Sequence, residues 1–344
     1  MLLVRWVWRL VAVAVAATLL PSAASAACTV TPQVTTTAGP YSPAAVAAGK
    51  VPTITGQAGL TCTATVLTLF GGNYLRATFS SLNGMTLKNG AKAIPYAAFA
   101  DSGATVPLTN GSTTDYMQNN LLNVLGLLGS SNATLPLYIR PGAAAAIPNG
   151  SYVDKITIAW DWRICSVAYV AGNCLGTLDR SSGSSVITVT VNVAAQDVTM
   201  TITSVATWDP VNGTTRPFAL PDSKGRTSLA VRNPDLVALD DGSLALVYRV
   251  PARTSVALDG DGTTSSTVFG FTDGSPASGT TLSYTPGSAT DDVDFSTDNG
   301  ATWTYSPVAG DRASEAAVTA LRFRPKGAMK AGSAFTLSFP YRVR

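Results

Sequence analysis

Histidine is absent from the 344-residue sequence. Without an imidazole, Ser-His-Asp triads, Cys-His dyads and His-ligated metal sites are all excluded. Only carboxylate, Lys, Tyr or Ser-Lys chemistry remains, and no pair of acids or Ser-x-x-Lys motif stands in a setting that favours catalysis. The sequence therefore predicts a protein that is not an enzyme and that has no cofactor.

Charged residues are also scarce, at 12% of the chain, and Glu315 is the single glutamate. Glu and Lys normally furnish exposed helix faces, so their scarcity disfavours helices. The chain instead has 30 Gly and 20 Pro, with recurring Thr and Ser clusters. This composition predicts an all-β fold with many turns. The net charge of +3 gives no electrostatic reason to expect nucleic-acid binding.

The N-terminus has the features of a secretory signal peptide at residues 1–26. Two arginines lie within Met1–Arg9, an apolar run follows at Leu10–Leu20, and Ala24-Ser25-Ala26 is a small-x-small cleavage site. The apolar run is too short to span a bilayer, and no later segment is long and apolar enough to do so. Lipid attachment at Cys28 is the alternative, but Ser25 stands where a large aliphatic residue is normally required.

Four cysteines remain in an exported chain, at positions 28, 62, 165 and 174. Export places them in an oxidising compartment, where disulfides are the default. Of the three connectivities, we favour Cys28–Cys62 together with Cys165–Cys174. A zinc site is the weaker alternative, because the sequence has no C-x-x-C motif and no histidine.

Short strands separated by turn residues predict two β-sandwich domains, at residues 27–195 and 196–344. The boundary is placed at Gln196, where the alternation pauses. In the last strand, Phe335, Leu337, Phe339, Tyr341 and Val343 face one way. The predicted strands are 60–70, 74–80, 94–100, 134–140, 152–162, 185–193, one opening at Val198, 243–250, 255–259, 267–271, 318–324 and 335–343.

An aliphatic segment, Tyr116–Leu128, allows two interpretations. It is either a short helix or buried loop that covers the core, or an exposed apolar loop that meets a partner.

Two motifs in the second domain invite a functional interpretation. Ser296–Trp303 fits the Asp-box pattern S-x-D-x-G-x-T-W, which predicts a hairpin whose aspartate accepts backbone hydrogen bonds and whose tryptophan packs beneath the turn. Asp292, Asp294 and Asp298, with Asp291, form an acidic cluster, and Asp259–Gly262 forms another. Both are weak calcium candidates, since neither has the EF-hand spacing.

Several short motifs in the first domain share their order and spacing with a known family. They are Cys28, Leu60–Thr63, Ile94–Phe99 before Asp101, Leu135–Ile139, and Ile147–Asp154 before the strand Lys155–Trp160. The element Pro148-x-Gly150-x-Tyr152-x-Asp154 is the clearest. From Cys28 to about Val193 the chain resembles the spore coat protein U family, which includes subunits of archaic, Csu-type chaperone–usher pili.

The resemblance implies an immunoglobulin-like sandwich, which is incomplete in a pilin. A periplasmic chaperone's strand fills the groove first, and a neighbouring subunit's strand replaces it at the outer-membrane usher. Family members are assembly or adhesive proteins, not enzymes. The implied location is the periplasm in transit and then a surface fibre.

Two departures from the family fit a tip subunit. Only Ala27 stands between the predicted cleavage site and Cys28, which leaves little chain to donate as a strand. The extra strand at Ser185–Val193 could complete the first domain's own sheet. We then expect an acceptor groove in the second domain, flanked by Phe335, Leu337, Phe339 and Tyr341. The second domain resembles bacterial surface β-sandwich modules only weakly.

An alternative to a fibre subunit is a free-standing exported module that binds carbohydrate or protein.

Overall fold

The computed structural model describes residues 28–63, 72–118, 132–165, 169–264 and 267–344. The predicted signal peptide, residues 64–70 of a predicted strand and most of Tyr116–Leu128 lie outside these ranges. Among the described residues, no helix has the length and apolar character needed to cross a membrane.

The described chain is built almost entirely of strands, which confirms the all-β prediction. Its two short helices are α1 (Pro43–Ala47) and α2 (Arg312–Ala317). The strands of the N-terminal part are β1 (Cys28–Val30), β2 (Gln33–Tyr41), β3 (Ile54–Thr63), β4 (Tyr74–Ser81), β5 (Thr86–Asn89), β6 (Lys92–Phe99), β7 (Pro107–Leu108), β8 (Thr113–Asp115), β9 (Asn132–Pro141), β10 (Gly150–Cys165), β11 (Tyr169–Val170), β12 (Asn173–Cys174) and β13 (Leu178–Val193).

The C-terminal part contributes β14 (Thr199–Trp208), β15 (Lys224–Arg232), β16 (Leu246–Arg249), β17 (Thr254–Val256), β18 (Gly270–Asp273), β19 (Val293–Ser296), β20 (Ala320–Phe323) and β21 (Ala334–Val343). Most predicted strands overlap one of these elements. The sequence prediction omitted β1, β2, β5, β7, β8, β11, β12, β15 and β19.

The chain divides into two compact units, and neither is one continuous segment. The first unit comprises the described residues within 1–39, 52–142 and 151–192; the second comprises 40–51, 143–150 and 193–344. The boundary near Gln196 stays a prediction, because the units also exchange the two short segments around α1 and before β10.

In the first unit, hydrogen-bonded neighbours follow the order β1-β3-β9-β6-β5-β10-β13-β2, with β4 beside β10, β7 beside β6 and β8 beside β4. The long strands β10 and β13 alternate between buried and more exposed side chains, as expected when one face of a sheet packs on a core. Ile187, Val189 and Val191 of β13 are all buried.

Strand β13 lies between β10 and β2. Its amide at Val186 donates to the carbonyl of Pro32, over 2.8 Å, and the following amide of Ala194 donates to Tyr41, over 2.9 Å. From the first bond to the second, the residue numbers increase on both strands, so β13 and β2 run parallel. The expectation that Ser185–Val193 completes the first unit's own sheet is confirmed by this pairing.

A buried carboxylate joins two of the sequence motifs of the first unit. Asp154 is 1% exposed and accepts hydrogen bonds from the Tyr96 hydroxyl, over 2.6 Å, and from the Ser81 hydroxyl, over 2.6 Å. The amide of Asn83 donates to it over 3.0 Å. Burial and the neighbouring Asp154 raise the pKa of Tyr96 above its ordinary value. Asp154 therefore links strand β10 by hydrogen bonds to β6 and to the end of β4.

Both predicted disulfides are present. Cys28 and Cys62 stand directly opposite each other on β1 and β3, with Cα atoms 4.0 Å apart. Cys165 and Cys174 join the end of β10 to β12, with Cα atoms 5.7 Å apart. The first bond closes the longer loop, so in the chain-entropy view it restricts the unfolded chain more.

The second unit pairs a wide sheet with a narrow one. The wide sheet has the order β14-β15-β21-β17, with β18 also beside β21; the narrow sheet has the order β16-β20-β19. Aromatic side chains fill the space between them: the ring of Phe323 on β20 lies 5.5 Å from that of Phe339 on β21, and Phe269 packs 5.9 Å from Phe323.

We predict that Asp154→Ala destabilises the folded chain by about 3 kcal/mol, because it removes charge-assisted bonds and leaves buried donors unpaired. Tyr96→Phe, which removes a single bond to the same carboxylate, should cost about half as much. Chemical denaturation measured by circular dichroism checks both values.

The matched control is Asp161→Ala, on the exposed side of the same strand β10. It should change the free energy of unfolding by less than about 0.5 kcal/mol. An Asp154 variant as stable as this control would contradict the role given to the buried carboxylate.

Candidate functional site

The outer strand of the second unit, β14, is the most exposed long strand of the described structure. It has a single neighbour there, β15, with which it pairs from Thr199 to Trp208. Its sequence contains no charge and no proline, which are the residues that usually protect an edge strand from further pairing. The free edge of β14 can therefore receive another strand.

Apolar side chains of β14 point to the core side of the sheet without being covered. In the antiparallel register, Ile202 stands opposite Leu229 and Met200 opposite Val231. Leu229 and Val231 are almost completely buried, whereas Met200 is 38% and Ile202 47% exposed. The same face of the sheet is thus covered over β15 and uncovered over β14.

The edge of the narrow sheet explains where the cover ends. Strand β16 is its terminal strand, and the Tyr248 ring on β16 lies 5.0 Å from the ring of Phe339. Thr227 of β15 lies near the Tyr248 hydroxyl, and burial raises the pKa of Tyr248. Strand β16 therefore lies over β15 and β21, and no described strand follows it over β14. We call Met200, Ile202 and the outer edge of β16 the open side.

The predicted partner strand lies elsewhere in the fold. Strand β21, with Phe335, Leu337, Phe339 and Tyr341, pairs with β15 along one edge, and with β18 and β17 along the other. Phe335, Leu337 and Phe339 are buried in the core. The prediction that this strand flanks an open groove is therefore corrected: its alternating apolar face serves the core, and both of its edges have partners.

The aspartates suggested for calcium are occupied by protein groups. Among the described residues, no group of three Asp, Glu, Cys or His side chains is arranged to hold a metal ion. Asp292 accepts from the Ser283 amide and hydroxyl, Asp294 binds two arginines, and Asp298 closes its own turn. Asp259 pairs with Lys224 and Arg342.

The Asp-box forms the predicted hairpin. The Asp298 carboxylate accepts from the Thr302 amide, over 2.8 Å, and from the Thr302 and Ser296 hydroxyls, over 2.7 and 2.6 Å. The Ser296 hydroxyl, together with the Thr302 groups, lowers the pKa of Asp298 to about 2. Gly300 has a φ of +90°, and a Cβ there would stand 2.9 Å from the Trp303 ring, so glycine permits the tryptophan to pack against the turn.

Sequence reasoning missed the open side. The alternation of Val198, Met200 and Ile202 indicated the strand, but the alternation of an apolar face does not say whether another layer covers it. The only local signal was the absence of charge and proline from a strand at the edge of a domain.

A comparison with known families gives a match in the N-terminal part of the chain. Residues 12–159 match the model of the Spore Coat Protein U domain. This match confirms the resemblance of the N-terminal half to the spore coat protein U family, which its motifs indicated. Among curated proteins, none matches this sequence.

Two solved structures are similar over most of the chain. One is the CsuC–CsuE chaperone–tip adhesion subunit pre-assembly complex from archaic chaperone–usher Csu pili of Acinetobacter baumannii, at 14% identity, 90% of this chain, 93% of that chain and a TM-score of 0.40. The other is the C-terminal domain of the Streptococcus pyogenes antigen I/II-family protein AspA, at 8% identity, 85% of this chain, 84% of that chain and a TM-score of 0.22.

We predict that the Asp-box hairpin loosens in acid. A carboxyl whose pKa is lowered by folding contributes stability above its ordinary pKa, near 4, and that contribution is lost as the pH falls towards about 2. Hydrogen exchange of the Thr302 amide should therefore accelerate across this window beyond the intrinsic rate.

In Asp298→Asn the Thr302 amide should exchange faster at neutral pH and lose the additional acid dependence. The control Asp197→Asn, at an exposed position outside the hairpin, should leave both unchanged. An unaltered acid profile in the Asp298 variant would show that another group controls the hairpin.

Proposed function

We propose that this chain is an exported, non-enzymatic subunit of a bacterial surface fibre that joins its neighbours by strand addition, and that it stands at the tip of the fibre. The observation that carries the proposal is the contrast between the two units. The first fills its own sheet with β13, whereas the second leaves apolar side chains of β14 uncovered beside the free edge of β16.

A strand from another protein would satisfy the open side in two ways. Its backbone would hydrogen-bond to the edge of β16 or of β14, and its alternate side chains would cover Met200 and Ile202. Main-chain bonds supply affinity in this mode of recognition, and the side chains that enter the groove supply specificity. Each of the two apolar side chains would gain burial worth about 1 kcal/mol, since each is already half covered.

The proposed occupants follow the family's mode of assembly. A periplasmic chaperone covers the open side in transit, and a neighbouring subunit replaces it at the outer-membrane usher. The unit that keeps β13 for itself requires no strand from outside. A subunit with one self-complete unit and one acceptor unit needs a neighbour on one side, which supports the position at the tip.

The test compares charged substitutions on the two faces of β14. Ile202→Lys places a charge on the face that a donor strand would cover, and combining it with Met200→Lys should lower the yield of chaperone complex at least about tenfold, because burying such charges costs more than 1.4 kcal/mol. Co-purification with the cognate chaperone from the periplasm measures the complex.

Val205→Lys is the matched control. Val205 belongs to the same strand and is 64% exposed, but it lies on the opposite face of the sheet from Ile202. This variant should form the complex like the original chain. Equal loss in both variants would mean that the open side is not the binding face.

A second result would overturn the proposal as a whole. If the full-length chain expressed without a chaperone accumulates as a stable monomer that the chaperone does not bind, strand addition is wrong. The free-standing binding module is then the better description.

A further inference from the structure

A cavity of about 340 Å³ opens beside the Asp-box hairpin of the second unit. Four aromatic residues line it: Tyr284 from the chain before β19, Phe295 of β19 itself, and Trp303 and Tyr305 from the chain after β19. Polar groups alternate with them, including Thr304, Ser306 and Asp294. Its size falls in the range of pockets for small molecules, roughly 300–1,000 Å³.

The aromatic rings are held in place by contacts outside the cavity. The Trp303 ring packs against Gly300 on the turn, and the Arg322 guanidinium lies 4.8 Å from its centroid. The Tyr305 hydroxyl bonds to the carbonyl and the hydroxyl of Ser314, at 3.1 and 2.9 Å. These rings therefore keep their orientation without a ligand.

The Tyr284 ring is fixed in a similar way. It packs edge-on against Phe269, at 4.5 Å, and against Phe295 of β19, at 6.2 Å. Phe295 belongs to the core of the unit, and Phe269 packs against that core. A ligand in the cavity would thus meet a rigid aromatic wall, which lowers the entropic cost of binding.

Among the residues that line the cavity, Asp294 is the only charged one, and two arginines outside the lining hold its carboxylate. The Asp294 carboxylate receives the Arg322 Nε over 2.8 Å and the Arg324 Nε over 2.8 Å, with a further bond from Arg324. A cationic ligand would have to compete with these arginines for Asp294, and an anionic ligand would meet the carboxylate. The cavity therefore favours a neutral ligand.

We propose that this cavity binds a neutral pyranose unit of a glycan. A pyranose presents apolar C–H faces that pack on aromatic rings, and hydroxyl groups that both donate and accept hydrogen bonds. The Tyr284, Trp303 and Tyr305 rings suit the first requirement, and the Thr304 and Ser306 hydroxyls with Asp294 suit the second. A purely apolar ligand would leave those polar groups without partners.

This site goes beyond the role in fibre assembly, because it involves different strands from the open side. It would give a subunit that is joined to a fibre through β14 and β16 a surface with which to hold a glycan. The argument for it uses none of the residues of the open side, so either proposal can fail alone.

The test is saturation-transfer NMR on the full-length chain with three neutral trisaccharides: chitotriose, cellotriose and mannotriose. A sialylated trisaccharide serves as the acidic comparison. We expect saturable binding of at least one neutral probe, with the signal strongest on ring C–H protons. Absence of transfer to all three neutral probes, or transfer to the sialylated probe alone, would overturn the proposal.

Two variants locate the binding. Trp303→Ala should weaken it at least about tenfold, because the largest of the three rings that stack on the sugar is removed. Ala289→Trp, at an exposed position of the wall, fills the cavity without removing a core side chain and should abolish binding.

Phe218→Ala, at an exposed aromatic outside the cavity, is the control and should bind like the original chain. Circular dichroism establishes that each variant is folded. Unchanged binding in folded Ala289→Trp would place the glycan elsewhere and refute this site, whatever the outcome for Trp303→Ala.

Discussion

A strand in the middle of a sheet must find backbone partners on both of its edges, and β13 meets this requirement between β10 and β2. The core of the first unit depends on this pairing. Three aliphatic side chains of β13 within this unit are buried, so removal of the strand would expose both an apolar groove and two rows of unpaired backbone groups. On the adjacent strand β10, the Asp154 carboxylate forms hydrogen bonds to β4 and β6.

In the second unit, the inner strands of the wide sheet also have backbone partners on both edges, whereas the outer strand, β14, has a described partner on one edge only. Strands β15 and β21 are paired on both edges and covered by the narrow sheet, which accounts for their buried aliphatic and aromatic residues. The narrow sheet ends one strand earlier than the wide one. Met200 and Ile202 are therefore uncovered because the narrow sheet has fewer strands than the wide sheet, and not because of any property of β14.

The all-β class, the two disulfides and most long strands were predictable because their signals are local: alternation, turn residues and an even number of exported cysteines. Strand β15 was missed although Thr227, Leu229 and Val231 alternate, since charged residues at both ends resemble a loop. The role of β21 was misjudged for a different reason. Its alternating face indicates burial on one side of a sheet, but which strands pair with its edges depends on residues more than a hundred positions away.

The parallel pairing of β13 with β2 also has a mechanical consequence. The chain leaves β13 at Val193 and continues into the second unit, so a pull transmitted along the polypeptide acts along the axis of β13. The hydrogen bonds to its neighbours, such as Ala194 to Tyr41, lie across that axis and are loaded together in shear instead of being opened one at a time. Forced unfolding is limited by the rate of crossing the unfolding barrier, and a barrier that requires many bonds to break at once is high. Strand β13, which completes the sheet of the first unit, therefore also makes this unit resistant to tension.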